Sequence, residues 1–246
     1  MKVNQLLPSV RVEVEKPFQE KLDRAKKLVK LFADKNACVS CSFGKDSTVV
    51  LWLCLQENPK IHVIYNNTGV EYPETLAFKE KLGHAWNLNL IETLPSKSFW
   101  QVANEKGLDD MKKYRDACCD ALKSRPMRRV LKKHGFRYNF TGLTAVESRV
   151  RMWRLCQQGD NYYSRKDGVW RVHCIAYWTP KEVWDYIRRV QIPVNPAYEK
   201  YGLERLGCVP CTSHKFWRRQ LAKVNYPMYK LVSEKYFGQK LLEVEG

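Results

Sequence analysis

No stretch of this 246-residue chain offers about 18 uninterrupted apolar residues, and residues 1–14 lack the continuous apolar core of an export signal. The reading is a soluble, cytoplasmic protein with no membrane partner. Acidic residues are also scarce: 26 Asp plus Glu face 43 Lys plus Arg, a formal net charge of +17 with neutral His. Such a surface attracts polyanions. With 12 glycines and 11 prolines, and neither a repeat nor a low-complexity tract, the chain has no obvious linker. One sizeable core with appendages is expected.

Nine cysteines raise the question of a disulfide framework, but the chain is long and the count is odd. Reduced thiols and a metal site fit better. The positive charge is uneven: residues 112–137 hold ten basic and two acidic side chains. Further basic residues, Lys215, Arg218, Arg219 and Lys223, stand beside Phe216, Trp217 and Tyr226. Basic residues interleaved with aromatics suit phosphates and unstacked bases, and the plainer alternative is a solvated face.

Apolar spacing at Phe18, Leu22, Ala25, Leu28, Val29 and Phe32 predicts an amphipathic helix over 17–35. Short apolar runs at 37–42 and 61–65 flank a helical stretch at 47–56, a strand–helix–strand unit that implies parallel strands. Further strands are expected at 88–93, 138–141 and 169–175, with helices at 72–86 and about 119–134. Thr179-Pro180-Lys181-Glu182 carries the signals of a helix start: N-cap, first-turn proline and capping-box glutamate. The sum is an α/β fold with a doubly wound, mostly parallel open sheet. Residues 1–211 are expected to form the sheet domain with the metal site, and 212–246 a basic, aromatic C-terminal extension.

Ser42-Phe43-Gly44-Lys45-Asp46-Ser47 lies between a predicted strand and a helix. A glycine there permits a tight turn, so that amide N–H groups and the positive helix end can cradle a phosphate, with Lys45 adding charge and Ser47 a hydroxyl. The glycine-to-lysine spacing is too short for a Walker loop. Far downstream, Cys118-Cys119 and Cys208-Val209-Pro210-Cys211 form two pairs that can supply four thiolates. Zinc and an iron–sulfur cluster both accept such a set, although adjacent cysteines suit the wider span of a cluster. Cys38 and Cys41 share the two-residue gap, but on a strand they face opposite ways and read as small buried hydrophobes, as does Cys54. Cys156 and Cys174 are alternatives between inert thiols and carriers of persulfide sulfur.

The loop resembles the pyrophosphate loop, Ser-Gly-Gly-Lys-Asp-Ser, of the adenine nucleotide alpha-hydrolase superfamily, with Phe43 in place of the second residue. More narrowly the chain resembles the phosphoadenosine phosphosulfate reductase family. Asn67-Thr68-Gly69 before Tyr72-Pro73-Glu74-Thr75 is similar to its Asp-Thr-Gly and Pro-Glu-Thr. Thr141-Gly142-Leu143 leading to Glu147-Ser148 and Arg151 is similar to its Thr-Gly-(Leu/Ile)-Arg…Glu-Ser-x-x-Arg, and Trp178-Thr179 through Asn195-Pro196 resembles the segment before its Cys-x-x-Cys-Thr. The resemblance implies that Ser42, Phe43, Gly44, Lys45, Asp46, Ser47, Thr68, Gly69 and Gly142 line a nucleotide pocket and that Arg151 reaches the anionic end. Asp46 would help place Mg²⁺, and Glu147 is either a ligand or a helix cap. Cys118-Cys119 with Lys123 and Pro126, then Cys208-x-x-Cys211-Thr212, resembles the [4Fe–4S] pattern of adenylylsulfate reductases.

Reductases of this family use a C-terminal Glu-Cys-Gly-x-His tail, and residues 234–246 contain no cysteine. The expectation is therefore an ATP pyrophosphatase, with Lys45, Asp46 and Arg151 catalytic, that adenylates an oxygen of nucleic acid for displacement by sulfur. Within the family it most resembles the enzymes of DNA phosphorothioation, with transfer RNA thiolation as the variant. ATP, Mg²⁺ and a [4Fe–4S] cluster are the implied cofactors. The implied partners are nucleic acid, a cysteine desulfurase as sulfur donor and other modification-system proteins, with a homodimer as an option. The alternatives are an assimilatory adenylylsulfate or phosphoadenylylsulfate reductase, its thiol supplied by Cys156 or a partner, and a non-catalytic iron–sulfur module that binds nucleic acid.

Overall fold

The computed structural model describes residues 1–106, 117–212 and 216–237. These divide into two compact units. The first comprises Met1–Tyr65, Phe78–Ile91 and Val130–Asn195; the second comprises the described parts of Asn66–Ala77, Glu92–Arg129 and Pro196–Gly246. The described part of the basic extension therefore belongs with the segments carrying Thr68, Gly69 and the cysteine pairs.

Six strands, β1 (Ala37–Ser40), β2 (His62–Asn66), β3 (Asn89–Thr93), β4 (Tyr138–Thr141), β5 (Asn161–Ser164) and β6 (Val169–Val172), form one sheet in the order β3-β2-β1-β4-β6-β5. β2, β1, β4 and β6 run parallel, and β5 turns back against β6. The strand order reverses at β1, with β2 on one side and β4 on the other, so the sheet is doubly wound. A crevice at the carboxyl ends of β1 and β4 is the place where such sheets take ligands. The segments leaving those two strands are residues 41–44 and 142–144.

The helices are α1 (Pro8–Glu15), α2 (Phe18–Phe32), α3 (Lys45–Glu57), α4 (Pro73–Ala85), α5 (Phe99–Lys106), α6 (Arg125–His134), α7 (Arg149–Gln158), α8 (Pro180–Val190), α9 (Ala197–Tyr201), α10 (Trp217–Val224) and α11 (Tyr226–Phe237). α2 buries Leu22, Ala25, Leu28 and Val29, the stripe its spacing predicts. In α3, five of six consecutive positions from Val49 to Cys54 are buried, as befits the helix at the centre of the unit. The core joins these to Val39, Phe140, Val172, Trp178 and Val183. Each fully buried aliphatic side chain contributes roughly 1.5–3 kcal/mol. α8 begins as expected: Thr179 accepts from the Glu182 backbone, the Glu182 carboxylate accepts from Thr179 N at 2.8 Å, and Gln191 closes the helix with φ +56°.

Two sequence expectations shift. The strand expected to run to residue 175 ends at Val172, because the chain turns at His173. β5 was not expected: Asn-Tyr-Tyr-Ser is short and polar, as an edge strand tolerates. Leu6, with Val10 and Val14 of α1, packs onto Val146, Met152 and Leu155, a separate cluster that seats α7.

Candidate functional site

The β1–α3 loop is a tightly bonded structure. Gly44 caps α3, and its carbonyl accepts from Thr48 N (2.9 Å), Ser47 Oγ (3.0 Å) and Thr48 Oγ1 (3.0 Å). Ser42 N donates to Ser47 Oγ at 3.2 Å. The Ser47 hydroxyl is thus engaged inside the loop, holding its two ends together. Phe43 takes φ +55° with its ring fully buried against Tyr65 and Phe78. Lys45, 8% exposed, pairs with Asp46 at 2.5 Å. The first turn of α3 brings orphan backbone N–H groups and the positive helix end to this point.

From β4, Gly142 abuts the same turn so closely that an added Cβ would lie 2.7 Å from Ser47 N and 2.8 Å from the Asp46 carbonyl carbon. Glu147 is both cap and ion-pair partner: it completes the capping box with Thr144 and pairs with Arg151, which α7 carries one turn on. The structure therefore brings Ser42, Phe43, Gly44, Lys45, Asp46, Ser47 and Gly142 together in the first unit, with Glu147 and Arg151 on the segment that follows β4.

Sequence reasoning did not single out His173. It is 2% exposed, its Nδ1 lies 2.7 Å from Thr141 Oγ1, and its Nε2 has no hydrogen-bond partner among the described residues. Burial, then the nearby Arg171, Arg154 and Arg151 charges, push its pKa down to about 3. The imidazole is thereby kept neutral where β4 and β6 end, and of the nearby guanidiniums Arg151 pairs with Glu147 and Arg171 with Asp167. The only signal in the sequence was a histidine inside the strand expected over 169–175.

In the second unit, the Thr68 amide and hydroxyl donate to Glu71 at 2.8 and 2.6 Å, and Thr68 Oγ1 lies 3.4 Å from Cys208 Sγ. Gly69 turns with φ +78°. Val209 N donates to Val70 O, and Cys211 N to Cys208 O, which fixes the Cys-x-x-Cys turn. Cys119, Cys208 and Cys211 line one cavity of about 600 Å³ with Lys123, Arg205, Phe216, Arg219 and Lys223. Lys123 is held well above the usual lysine range, foremost by Cys208 and also by Cys119 and Cys211. Cys118 is half-buried and does not line the cavity. Among the described residues no three of His, Cys, Asp and Glu converge closely enough to hold a single metal ion. Thiols spread round a roomy cavity fit the wider span of a multi-atom metal group better than one small ion.

Cys38, Cys41, Cys54 and Cys174 behave as packing. Burial raises the thiols of Cys38 and Cys54, pushes Cys41 up to about 11 and Cys174 up to about 12. Cys156 is half-buried, 3.4 Å from Ser9 Oγ. Of the basic residues read from the sequence, Lys112, Lys113, Arg115 and Lys215 lie outside the described residues, as does the tail from 238 onward.

The family model described as phosphoadenosine phosphosulfate reductase domain matches residues 36–214. This chain belongs to that family. The phosphoadenosine phosphosulfate reductase family also supplies relatives by sequence. A Geobacillus protein named adenosine 5′-phosphosulfate reductase is 29% identical over 178 residues, 71% of this chain and 72% of that one. A Xylella fastidiosa protein named phosphoadenosine 5′-phosphosulfate reductase is 32% identical over 180 residues, 71% of each chain. An uncharacterized protein of Methanocaldococcus jannaschii is 29% identical over 212 residues, covering 85% of this chain; the chain spans only 50% of that relative's length. The crystal structure of the Candida auris phosphoadenylyl-sulfate reductase shares the fold, with a TM-score of 0.59 at 18% identity over 75% of this chain and 87% of that one. No helix among the described residues is long and apolar enough to cross a membrane.

Proposed function

We propose that this member of the family is a reductase of adenylylsulfate or its 3′-phosphorylated form. The observation that carries this reading is the span of the family match, residues 36–214, which includes both the phosphate-type loop and Cys208 and Cys211, with relatives named for those two substrates. The chain's own residues supply the parts. The Gly44 amide and the start of α3 would receive the phosphate next to the adenosine, and Lys45 would neutralise charge that develops as the phosphosulfate bond breaks. Arg151, oriented by Glu147, would hold the sulfate oxygens. A dithiol reductant would supply two electrons, becoming a disulfide as sulfite and the adenylate leave; Cys156 or a partner would provide the attacking thiol. Cys118, Cys119, Cys208 and Cys211 would hold a [4Fe–4S] cluster, which when bound supplies a polarisable, charged wall to the cavity. The test is sulfite release from either sulfonucleotide with a dithiol reductant, using anaerobically purified protein. Arg151→Ala is expected to lose at least about 10²-fold of the rate, and an absence of sulfite from the wild type would remove this reading.

A second reading has its own support. In place of sulfonucleotide reduction, the chain would be an ATP pyrophosphatase that adenylates nucleic acid for sulfur insertion, DNA phosphorothioation being favoured over transfer RNA thiolation. Phe216, 67% exposed, and the Arg219 and Lys223 side chains of α10 share the cavity with the three thiols, a cationic and aromatic wall suited to an unstacked nucleotide. Asp46 would place Mg²⁺ on ATP, and a cysteine desulfurase would supply sulfur. Pyrophosphate release from ATP and Mg²⁺, stimulated by nucleic acid, distinguishes it from the first.

A further inference from the structure

Phe43 sits in the left-handed region, φ +55°, which a bulky residue rarely adopts and which costs on the order of 1–3 kcal/mol. Three contacts hold it there. Its ring is fully buried, meeting Tyr65 edge-on at 5.6 Å and Phe78 at 6.4 Å. Its N–H donates to Cys41 Sγ at 3.4 Å, and its carbonyl accepts from the Asn195 side-chain amide at 3.2 Å; Asn195 is itself 2% exposed.

A trans peptide is planar, with the carbonyl and the following N–H pointing opposite ways. Anchoring the Phe43 carbonyl on Asn195 therefore turns the Gly44 N–H away from Asn195, and that N–H donates no hydrogen bond among the described residues. The Gly44 carbonyl is fixed by Ser47 and Thr48 at the other end. The peptide is thus clamped on every side except its donor.

We infer that Phe43 and Asn195 are positioning residues: they fix the Phe43–Gly44 peptide so that the Gly44 N–H stands ready as a phosphate donor. Ring burial offsets the left-handed strain, and the Asn195 amide prevents a peptide flip that would face a carbonyl oxygen toward the anion. The inference rests on the nucleotide reading of this loop and holds for either substrate above.

The test is calorimetric titration of adenosine, AMP and ATP·Mg²⁺ into the wild type, Asn195→Ala, Asn195→Ser and Phe43→Gly, with thermal melts of each. The phosphate increment, the ratio of the adenosine Kd to the AMP Kd, is expected to fall about tenfold in the Asn195 variants while adenosine itself changes by less than about twofold, the loss of one hydrogen bond to a charged group. Phe43→Gly accepts the backbone angle but lacks the ring; a lower melting temperature together with the same loss of increment is expected. Folded variants that keep the wild-type increment, or that weaken adenosine and AMP in parallel, would overturn the inference. Asn195→Ser, the smaller perturbation, decides the matter where Asn195→Ala does not melt cooperatively. A wild type with no phosphate preference is a different failure, that of the nucleotide reading.

Discussion

Gly142 has no room for a side chain: a Cβ there would stand 2.7 Å from the backbone nitrogen of Ser47. The neighbour is backbone at the start of α3, so it cannot rotate aside as a flexible side chain would. Gly142→Ala must push β4 and α3 apart at the point where the sheet reverses. We expect a loss of about 1–3 kcal/mol, the usual range for overpacking, together with weakened nucleotide binding, because the displaced turn carries Gly44 and Lys45. Urea midpoints and nucleotide titrations on the same preparation check both. A variant matching the wild type in each would show that the turn can relax.

His173 gives the protein a defined acid sensitivity. Its folded pKa is lowered from 6.5 to about 3, chiefly by burial and then by Arg171, Arg154 and Arg151. Between those values the unfolded chain binds a proton that the folded chain refuses, so stability rises with pH through this window and is lost as pH falls below about 6.5. The slope is at most about 1.4 kcal/mol per pH unit. His173→Asn, which keeps a partner for Thr141, is expected to flatten the stability profile between pH 6.5 and 4. Urea unfolding at pH 7, 6 and 5 measures it, and an unchanged slope would transfer the acid sensitivity to other groups.

The parts of this architecture that were legible in the sequence are those written in local patterns. The α2 stripe, the Thr179–Glu182 cap and the Gly-Lys-Asp-Ser turn between two apolar runs each need only neighbouring residues to be read. What was not legible depends on residues far apart in the chain. Phe43 reads as a misfit where the family pattern has glycine, and only Tyr65, Phe78 and Asn195 explain how a positive φ is held. Gly142 carries a matching motif, but its steric role comes from Ser47, 95 positions earlier in numbering. Asn161-Tyr162-Tyr163-Ser164 lacks apolar alternation because its stabilisation comes from the ladder with β6. The thiol pairs and Lys123 were visible as a sequence pattern, whereas the gathering of Cys119, Cys208, Cys211 and Lys123 around one cavity was visible only in three dimensions.

The cysteines divide into two groups by environment, and substitution should sort them. Cys119, Cys208 and Cys211 face the cavity with Lys123, while Cys38, Cys41, Cys54 and Cys174 are buried thiols whose ionisation is suppressed. Cys208→Ser or Cys119→Ser is expected to abolish iron in anaerobically purified protein, and Cys54→Ser to leave it unchanged at some cost in stability. Iron and zinc analysis with visible absorption reads this directly. Zinc in place of iron in the wild type would reassign the site, and metal in neither would leave the thiols as a cationic pocket's lining only.

Residues of α10 and the turn before it separate the two functional readings, because a polymer and a sulfonucleotide make different demands on them. Phe216 is exposed and Arg219 and Lys223 face the thiol cavity. For a bound single strand, Arg219→Ala and Lys223→Ala should each shallow the dependence of log K on log salt by about 0.7, one phosphate contact apiece. Phe216→Ala should instead cost about 1–3 kcal/mol of affinity without altering that slope, as loss of a stacking partner does. Fluorescence anisotropy with labelled single-stranded oligonucleotides across a salt series provides both quantities. A sulfonucleotide reductase needs no such strand: there the same substitutions would leave oligonucleotide binding weak and unchanged, and would alter only the kinetics of sulfite release.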